Sequence, residues 1–124
     1  TVDGRPMLED PVWRGKIARL EMRFRAHLMV SYRALADQQK GKMPGPESSI
    51  LKIVGTKLVQ ELTELAMEVM GENSLTWYNE GLCMPVEESI GPYFCYERAA
   101  TIYGGSNEIQ RNVIAKMILQ LPSS

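Results

Sequence analysis

Two long stretches with a helical repeat of apolar side chains constrain the fold of this chain more than any other feature. They cover residues 12–39 and about 47–70, and in both of them apolar positions recur at steps of three and four residues. Because each stretch exceeds the average helix length and the link between them is short, the pattern predicts two long antiparallel helices. The predicted fold class is all-α, an up-and-down helical bundle. The repeat consists of Ile17, Leu20, Phe24, Leu28, Ser31 and Leu35, and then of Ile50, Ile53, Val54, Lys57, Leu58, Leu62, Leu65, Ala66 and Val69.

Residues at the ends of these stretches indicate where the helices begin and end. Asp10 precedes Pro11, and an aspartate cap followed by a first-turn proline is typical of a helix start. Ser48 or Ser49 is the predicted cap of the second helix. Gly71 follows the second stretch, at the position where a helix C-terminus favours glycine.

The remainder of the chain has a weaker pattern. Residues 72–92 lose the helical repeat and are predicted to form an ordered, irregular excursion over one end of the bundle. A third, shorter helix is predicted over about residues 93–102, interrupted by Gly104-Gly105. A fourth is predicted from Ser106 or Asn107 to about Leu119.

Composition excludes several classes of protein. The length suits one domain, and a formal net charge of -1 argues against a nucleic-acid or membrane-surface partner. Lys16, Arg19 and Arg23 share one helix stripe, which we interpret as a solvated face or subunit rim. No apolar run approaches the length of a membrane span. Cys83 and Cys95 lack neighbours at metal spacing, so we predict reduced thiols, no metal site, and a cytoplasmic or matrix-like compartment.

The segment around Gly104-Gly105 is the strongest candidate for a binding site. Two glycines permit positive φ and a close approach by a ligand, and the helix that opens at Ser106 presents unpaired N–H groups suited to an anion. A plain helix–turn–helix, with Ser106 as an N-cap, explains the same pattern. Both interpretations stay open on the residues alone.

Residues 102–115, Ile-Tyr-Gly-Gly-Ser-Asn-Glu-Ile-Gln-Arg-Asn-Val-Ile-Ala, closely resemble the C-terminal signature of acyl-CoA dehydrogenases. Residues 4–11 are similar to the loop that enters the family's first long C-terminal helix. Gly45-Pro46-Glu47-Ser48-Ser49, with Lys52, resembles the entry to the next helix. The resemblance implies that residues 1–124 are the C-terminal helical domain of a longer chain. The parent would use FAD to oxidise an acyl-CoA thioester to its α,β-enoyl-CoA.

The resemblance also implies roles for individual residues. Ser106 and Glu108 match positions that contact FAD in relatives, and Gly104 and Gly105 give clearance. Gly71 matches part of a turn that reaches the FAD of a neighbouring subunit, although residues 70–74 lack two of the family's glycines. Many relatives carry the catalytic glutamate at position 104. Because glycine cannot accept a proton, no catalytic residue is assigned, and the base lies upstream of Thr1 or is absent.

The family's partners follow from the same resemblance. We expect an acyl-CoA substrate bound through other domains, a dimer or tetramer with identical or related subunits, and an electron-accepting flavoprotein. The expected compartment is the bacterial cytoplasm or, in a eukaryote, the mitochondrial matrix. An alternative is a non-catalytic helical module, derived from the same family, that serves only oligomerisation. Gly104 and the altered turn after Met70 are the features that favour this alternative.

Overall fold

Four α-helices, α1 to α4, make up the framework. The chain is seen in a computed structural model that describes residues 4–43, 45–77 and 85–122, with side chains from residue 90 onward in the last range. Cys83 and the first three residues lie outside the described residues. All elements of the described part are helical, which confirms the predicted all-α bundle. They are α1 (Pro11–Gln39), α2 (Glu47–Met70), α3 (Pro85–Tyr96) and α4 (Asn107–Val113), with 3-10 helices at Met7–Glu9, Gly71–Leu75 and Glu97–Thr101 and a π-helical turn at Ile114–Ile118.

The ends of α1 and α2 test the predicted caps. Asp10 caps α1 as predicted, since its Oδ1 accepts hydrogen bonds from the N–H groups of Val12, at 2.8 Å, and Trp13, at 3.2 Å. The prediction that Ser48 or Ser49 caps α2 is wrong. Pro46 occupies the cap position, and the Ser48 hydroxyl donates backwards to the Gly45 carbonyl at 2.8 Å. The reason is that the helix already begins at Glu47, so Ser48 lies inside its first turn.

The first two helices form an antiparallel hairpin, as predicted. Lys16 pairs with Glu68, and Arg23 pairs with Glu61. Further along, His27 lies against Gly55. Partner numbers fall on α2 as they rise on α1, which is the signature of antiparallel packing.

The opposite side of α2 receives the rest of the chain, again in antiparallel order. Gly91 of α3 packs against the 3-10 turn after α2, with the Ser74 carbonyl oxygen 2.8 Å from an ideal Cβ position on Gly91. Next along the chain, Arg98 contacts Glu64, and Asn107 at the start of α4 contacts Thr56. Therefore α2 is the central element of the fold.

The predicted start of the third helix at residue 93 is wrong. Helix α3 begins at Pro85, and it contains Gly91 and Pro92, which lie in the stretch predicted to be irregular and have low helix propensity. Pro85 is tolerated in a first helical turn. Gly91 and Pro92 are buried, so tertiary packing outweighs their low helix propensity. Residues Glu97–Thr101 continue as a 3-10 helix rather than as α-helix.

Candidate functional site

The Gly104–Gly105 turn links the 3-10 helix that follows α3 to α4. Both glycines have positive φ, 65° at Gly104 and 88° at Gly105, which L side chains rarely adopt. An ideal Cβ on Gly105 would lie 2.7 Å from Nε2 of Gln110, whose amide donates to the Gly104 carbonyl at 3.3 Å. A Cβ on Gly104 would meet nothing within 4 Å. The exposed turn is thus braced from one side by Gln110 and open at Gly104.

Ser106 is the N-cap of α4, as the cap interpretation predicted. Its half-buried hydroxyl oxygen accepts from the Ile109 N–H at 3.4 Å, and the hydroxyl is also hydrogen-bonded to the carboxylate of Glu108. The Ser106 side chain therefore stabilises the start of α4 and also orients the carboxylate of Glu108.

Glu108 is exposed, and its carboxylate is hydrogen-bonded and ion-paired by neighbouring residues. The pKa of its carboxyl is lowered from an ordinary 4.5, first by a hydrogen bond from its own backbone N–H, then by the Ser106 hydroxyl and by Arg111, while burial acts in the opposite direction. An Arg111 nitrogen lies 3.2 Å from the carboxylate. Since this carboxylate already meets the positive end of α4, the structure favours the cap interpretation over an anion site.

Gly71 belongs to a different region from the other four candidate residues. It ends α2 with φ 57°, as predicted, and its N–H donates to the Met67 carbonyl. Asn107, next to Ser106, contacts Thr56, which precedes Gly71 by fifteen residues; at a helical rise of 1.5 Å per residue these lie about 22 Å apart. Gly104, Gly105, Ser106 and Glu108 therefore form one turn, whereas Gly71 is not part of it.

A polar network beneath the turn was not assigned by the sequence patterns. Asn107 is only 3% exposed; its Oδ1 accepts from Lys52 Nζ at 2.9 Å, and its Nδ2 donates to Thr56 Oγ1 at 3.3 Å. The sequence does contain a signal for this network. Lys52, Thr56, Gln60 and Thr63 recur at helical spacing on α2, opposite its apolar stripe.

A second buried polar group precedes the turn. Glu97 is 7% exposed and is hydrogen-bonded to the Tyr93 hydroxyl. The pKa of Tyr93 is raised above its usual 10.0, first by partial desolvation and then by the charge and hydrogen bond of Glu97, although 46% of the residue is exposed. A phenol that stays protonated can keep donating to this carboxylate.

An apolar groove with a volume of about 790 Å³ separates much of α1 from α2. The predicted apolar stripes do face each other here, but none of the α1 residues is buried, and Phe24 remains 55% exposed. The main packing partner of α1 among the α-helices is α2, and the stripe is not closed over. The lining includes Ile17, Leu20, Phe24, His27, Leu58, Leu62 and Ile90. No helix in the described part of the chain is both long and apolar enough to cross a bilayer.

Comparison with known proteins places this helical fold in a family. Residues 1–119 match the family of the acyl-CoA dehydrogenase C-terminal domain. The chain belongs to that family.

Individual relatives agree. The chain is 38% identical over 117 residues to acyl-CoA dehydrogenase IpdE1 of Mycobacterium tuberculosis, covering 92% of this chain and 28% of that protein. IpdE1 of Mycolicibacterium smegmatis is 37% identical over 114 residues, covering 92% and 26%. A solved structure of the ChsE4–ChsE5 complex from Mycobacterium tuberculosis superposes with a TM-score of 0.81 at 26% identity, over 100% of this chain and 32% of the matched chain. The chain thus spans about a quarter to a third of the length of these relatives.

Proposed function

We infer that residues 1–124 form the C-terminal helical domain of an FAD-dependent acyl-CoA dehydrogenase. The parent protein would oxidise an acyl-CoA thioester to its α,β-enoyl-CoA. The observation that carries this proposal is the open Gly104–Gly105 turn, which is followed directly by Ser106. This turn lies within the region that matches the family. Substrate binding by an acyl-CoA, and electron transfer to an accepting flavoprotein, would use parts of the parent outside this chain.

The turn has the shape needed for contact with a flat cofactor. The open space at Gly104 permits a close approach of a ligand to the backbone, and the Ser106 hydroxyl lies two residues away. An ionised carboxylate only accepts hydrogen bonds, so Glu108 would meet a hydroxyl or N–H group of FAD rather than a phosphate. Bound FAD would supply the acceptor for the substrate hydride; this chain supplies positioning.

Gly71 is proposed to contact a different flavin. Its separation from Ser106 along α2 favours contact with the cofactor of a neighbouring subunit, which requires an oligomer of identical or related chains. The apolar α1–α2 groove supports the same assembly, because exposed apolar surfaces of this size are usually covered by another part of the protein or by a partner.

No residue of this chain is proposed as the catalytic base. Gly104 stands where one large group of relatives carries the catalytic glutamate, and it has no side chain; the buried Glu97 is hydrogen-bonded to Tyr93. In the proposed dehydrogenase another part of the parent would supply the base, whereas in the second candidate function the base is absent. The proposed compartment remains the cytoplasm or mitochondrial matrix.

The second candidate function is an oligomerisation module without catalysis. Gly104 favours it, as does the turn at residues 70–74, which keeps Gly71 and Asn73 but lacks two of the family's glycines.

The two functions are separated by comparing the parent protein with residues 1–124 alone. Both are purified, mixed with FAD, and assayed for bound flavin by absorbance and for acyl-CoA-dependent reduction of a dye. We expect stoichiometric flavin and turnover in the parent, and neither in the isolated chain. A flavin-free, inactive parent that still assembles would establish the oligomerisation module instead.

A further inference from the structure

The residues on either side of the Gly104–Gly105 turn are tied to the same face of α2. Downstream, Asn107 is buried and is held by Lys52 and Thr56. Thr56 is itself fixed, since its hydroxyl donates to the Lys52 carbonyl at 2.9 Å. Lys52 forms no ion pair within the described residues, so the amide of Asn107 is its principal partner.

Upstream, Arg98 forms the second attachment. Its guanidinium donates to Glu64 Oε1 at 2.7 Å, to Thr63 Oγ1 at 3.2 Å and to the Gln60 carbonyl at 3.3 Å, and it stacks on the Phe94 ring at 4.5 Å. This attachment fixes the 3-10 helix that leads into the turn. The turn is thus a short exposed segment between two points on one rigid helix.

The two glycines are braced by Gln110, but Gln110 belongs to α4 and does not itself tie the turn to α2. Both are exposed, and Gly104 has open space on its Cα. The location of Ser106 relative to α2 therefore depends on the attachment that is adjacent to it in sequence, Asn107.

We propose that Lys52 and Asn107 are positioning residues for the flavin contact, acting as a hydrogen-bonded latch that holds the Gly104–Ser106 turn against α2. The inference rests on the proposed function, in which Ser106 touches FAD. A hydrogen bond is directional, whereas an apolar contact is not. The Lys52–Asn107 hydrogen bond therefore fixes where the turn lies along the axis of α2, which an apolar pair of the same size would not do. Removing one partner of such a hydrogen bond leaves the other partner unsatisfied and lowers stability, so the variants must be compared with a control that is destabilised elsewhere.

The latch is tested in the full-length, flavin-loaded protein with Asn107→Leu and Lys52→Met. Each removes one polar partner while keeping similar bulk. We expect the Kd of FAD to rise about tenfold in each, the size expected when a hydrogen bond to a charged group is lost, with an altered flavin absorption spectrum. Asn107→Asp keeps an acceptor for Lys52, so we expect its Kd for FAD and its flavin absorption spectrum to stay at those of the wild type.

The matched control is Asp10→Ala. Asp10 caps α1, which packs on the other side of α2 from the turn, so its truncation lowers the melting temperature without touching the latch. The proposal is overturned if Asn107→Leu and Lys52→Met bind FAD with wild-type affinity and spectrum. It is equally overturned if Asp10→Ala weakens FAD binding as much as they do.

Hydrogen–deuterium exchange of residues 102–110 in the flavin-free full-length protein separates this inference from the proposed function. If the wild-type parent binds no FAD, the proposed function fails, but the latch still predicts faster exchange in Asn107→Leu and Lys52→Met than in Asp10→Ala. Equal exchange in all of these variants would refute the latch itself.

Discussion

Ser106 has two roles that can be measured separately. Ser106→Ala removes the acceptor for the Ile109 N–H, and loss of an N-cap costs about 0.5–2 kcal/mol of unfolding free energy. In the parent it should also weaken FAD binding beyond what linkage to stability explains. Thermal unfolding of the flavin-free form reports the first effect and flavin titration reports the second. Ser48→Ala, which removes a hydroxyl that caps no helix, is the control. Unchanged FAD affinity would leave Ser106 as a helix cap only.

Glu108 predicts a pH dependence of stability. The pKa of Glu108 in the folded protein lies below its ordinary value of 4.5. The unfolded chain therefore binds more protons than the folded one in this pH range, and the ionised carboxylate stabilises the fold. This stabilisation is present above pH 4.5 and is lost as the pH falls through the folded pKa. We therefore expect Glu108→Gln to lower the melting temperature at pH 7, with a difference that disappears in acid. Glu72→Gln, at an exposed carboxylate with no ion pair among the described residues, should show no such trend. A difference for Glu108→Gln that is constant with pH would contradict the hydrogen bonding described here.

At the residue scale, most predictions of local chemistry were confirmed, and the exception is the cap of α2, predicted at Ser48 or Ser49 but found at Pro46. The caps at Asp10 and Ser106 and the helix end at Gly71 depend only on neighbouring backbone groups, and they were predicted. The burial of Asn107 was not, because it depends on which face of α4 meets α2. That is a property of tertiary packing. The proposed flavin contacts of Ser106, Glu108 and Gly71 remain predictions.

Helices α1 and α2 were predicted nearly to the residue because their repeats are long and uninterrupted. Helix α3 was predicted eight residues too short at its start, 93 instead of 85. Gly91 and Pro92 are breakers when only local propensity is considered. In the fold, however, the absence of a side chain at Gly91 is what lets α3 approach the turn after α2.

This packing reverses the usual effect of replacing a helical glycine. Gly91→Ala adds a Cβ 2.8 Å from the Ser74 carbonyl oxygen, a backbone atom that cannot simply rotate away. We expect a net loss of roughly 1 kcal/mol and at most about 2.5, since overpacking costs about 1–3 kcal/mol and the gain in helix propensity is only about 0.5–1 kcal/mol. Chemical denaturation measures it.

Gly15→Ala provides the matched control within α1. A Cβ there meets nothing within 4 Å, so this substitution should stabilise by roughly 0.5–1 kcal/mol. If both alanines stabilise the protein, then the close approach of α3 to the turn after α2 is absent in solution.

For the molecule as a whole, the open α1–α2 groove predicts self-association of the isolated chain. Apolar side chains that stay exposed over this area favour burial against a second copy. Sedimentation across a wide concentration range should show oligomers, and Phe24→Glu should weaken them because it puts a charge in the groove. Gln38→Glu adds the same charge at an exposed site and should have no effect. A monomer at every concentration would contradict the prediction.

The central position of α2 has a consequence for how the chain folds. On one side its pairs are nested around the link before it, from His27–Gly55 outward to Arg23–Glu61 and Lys16–Glu68. On the other side they are nested around the segment after it, from Ser74–Gly91 outward to the contacts of Arg98 and Asn107. In a nested set, each pair that forms brings the next pair close together. Only a short additional loop then has to be ordered, which costs little conformational entropy. Nucleation can therefore begin at either end of α2, and neither half has to wait for the other.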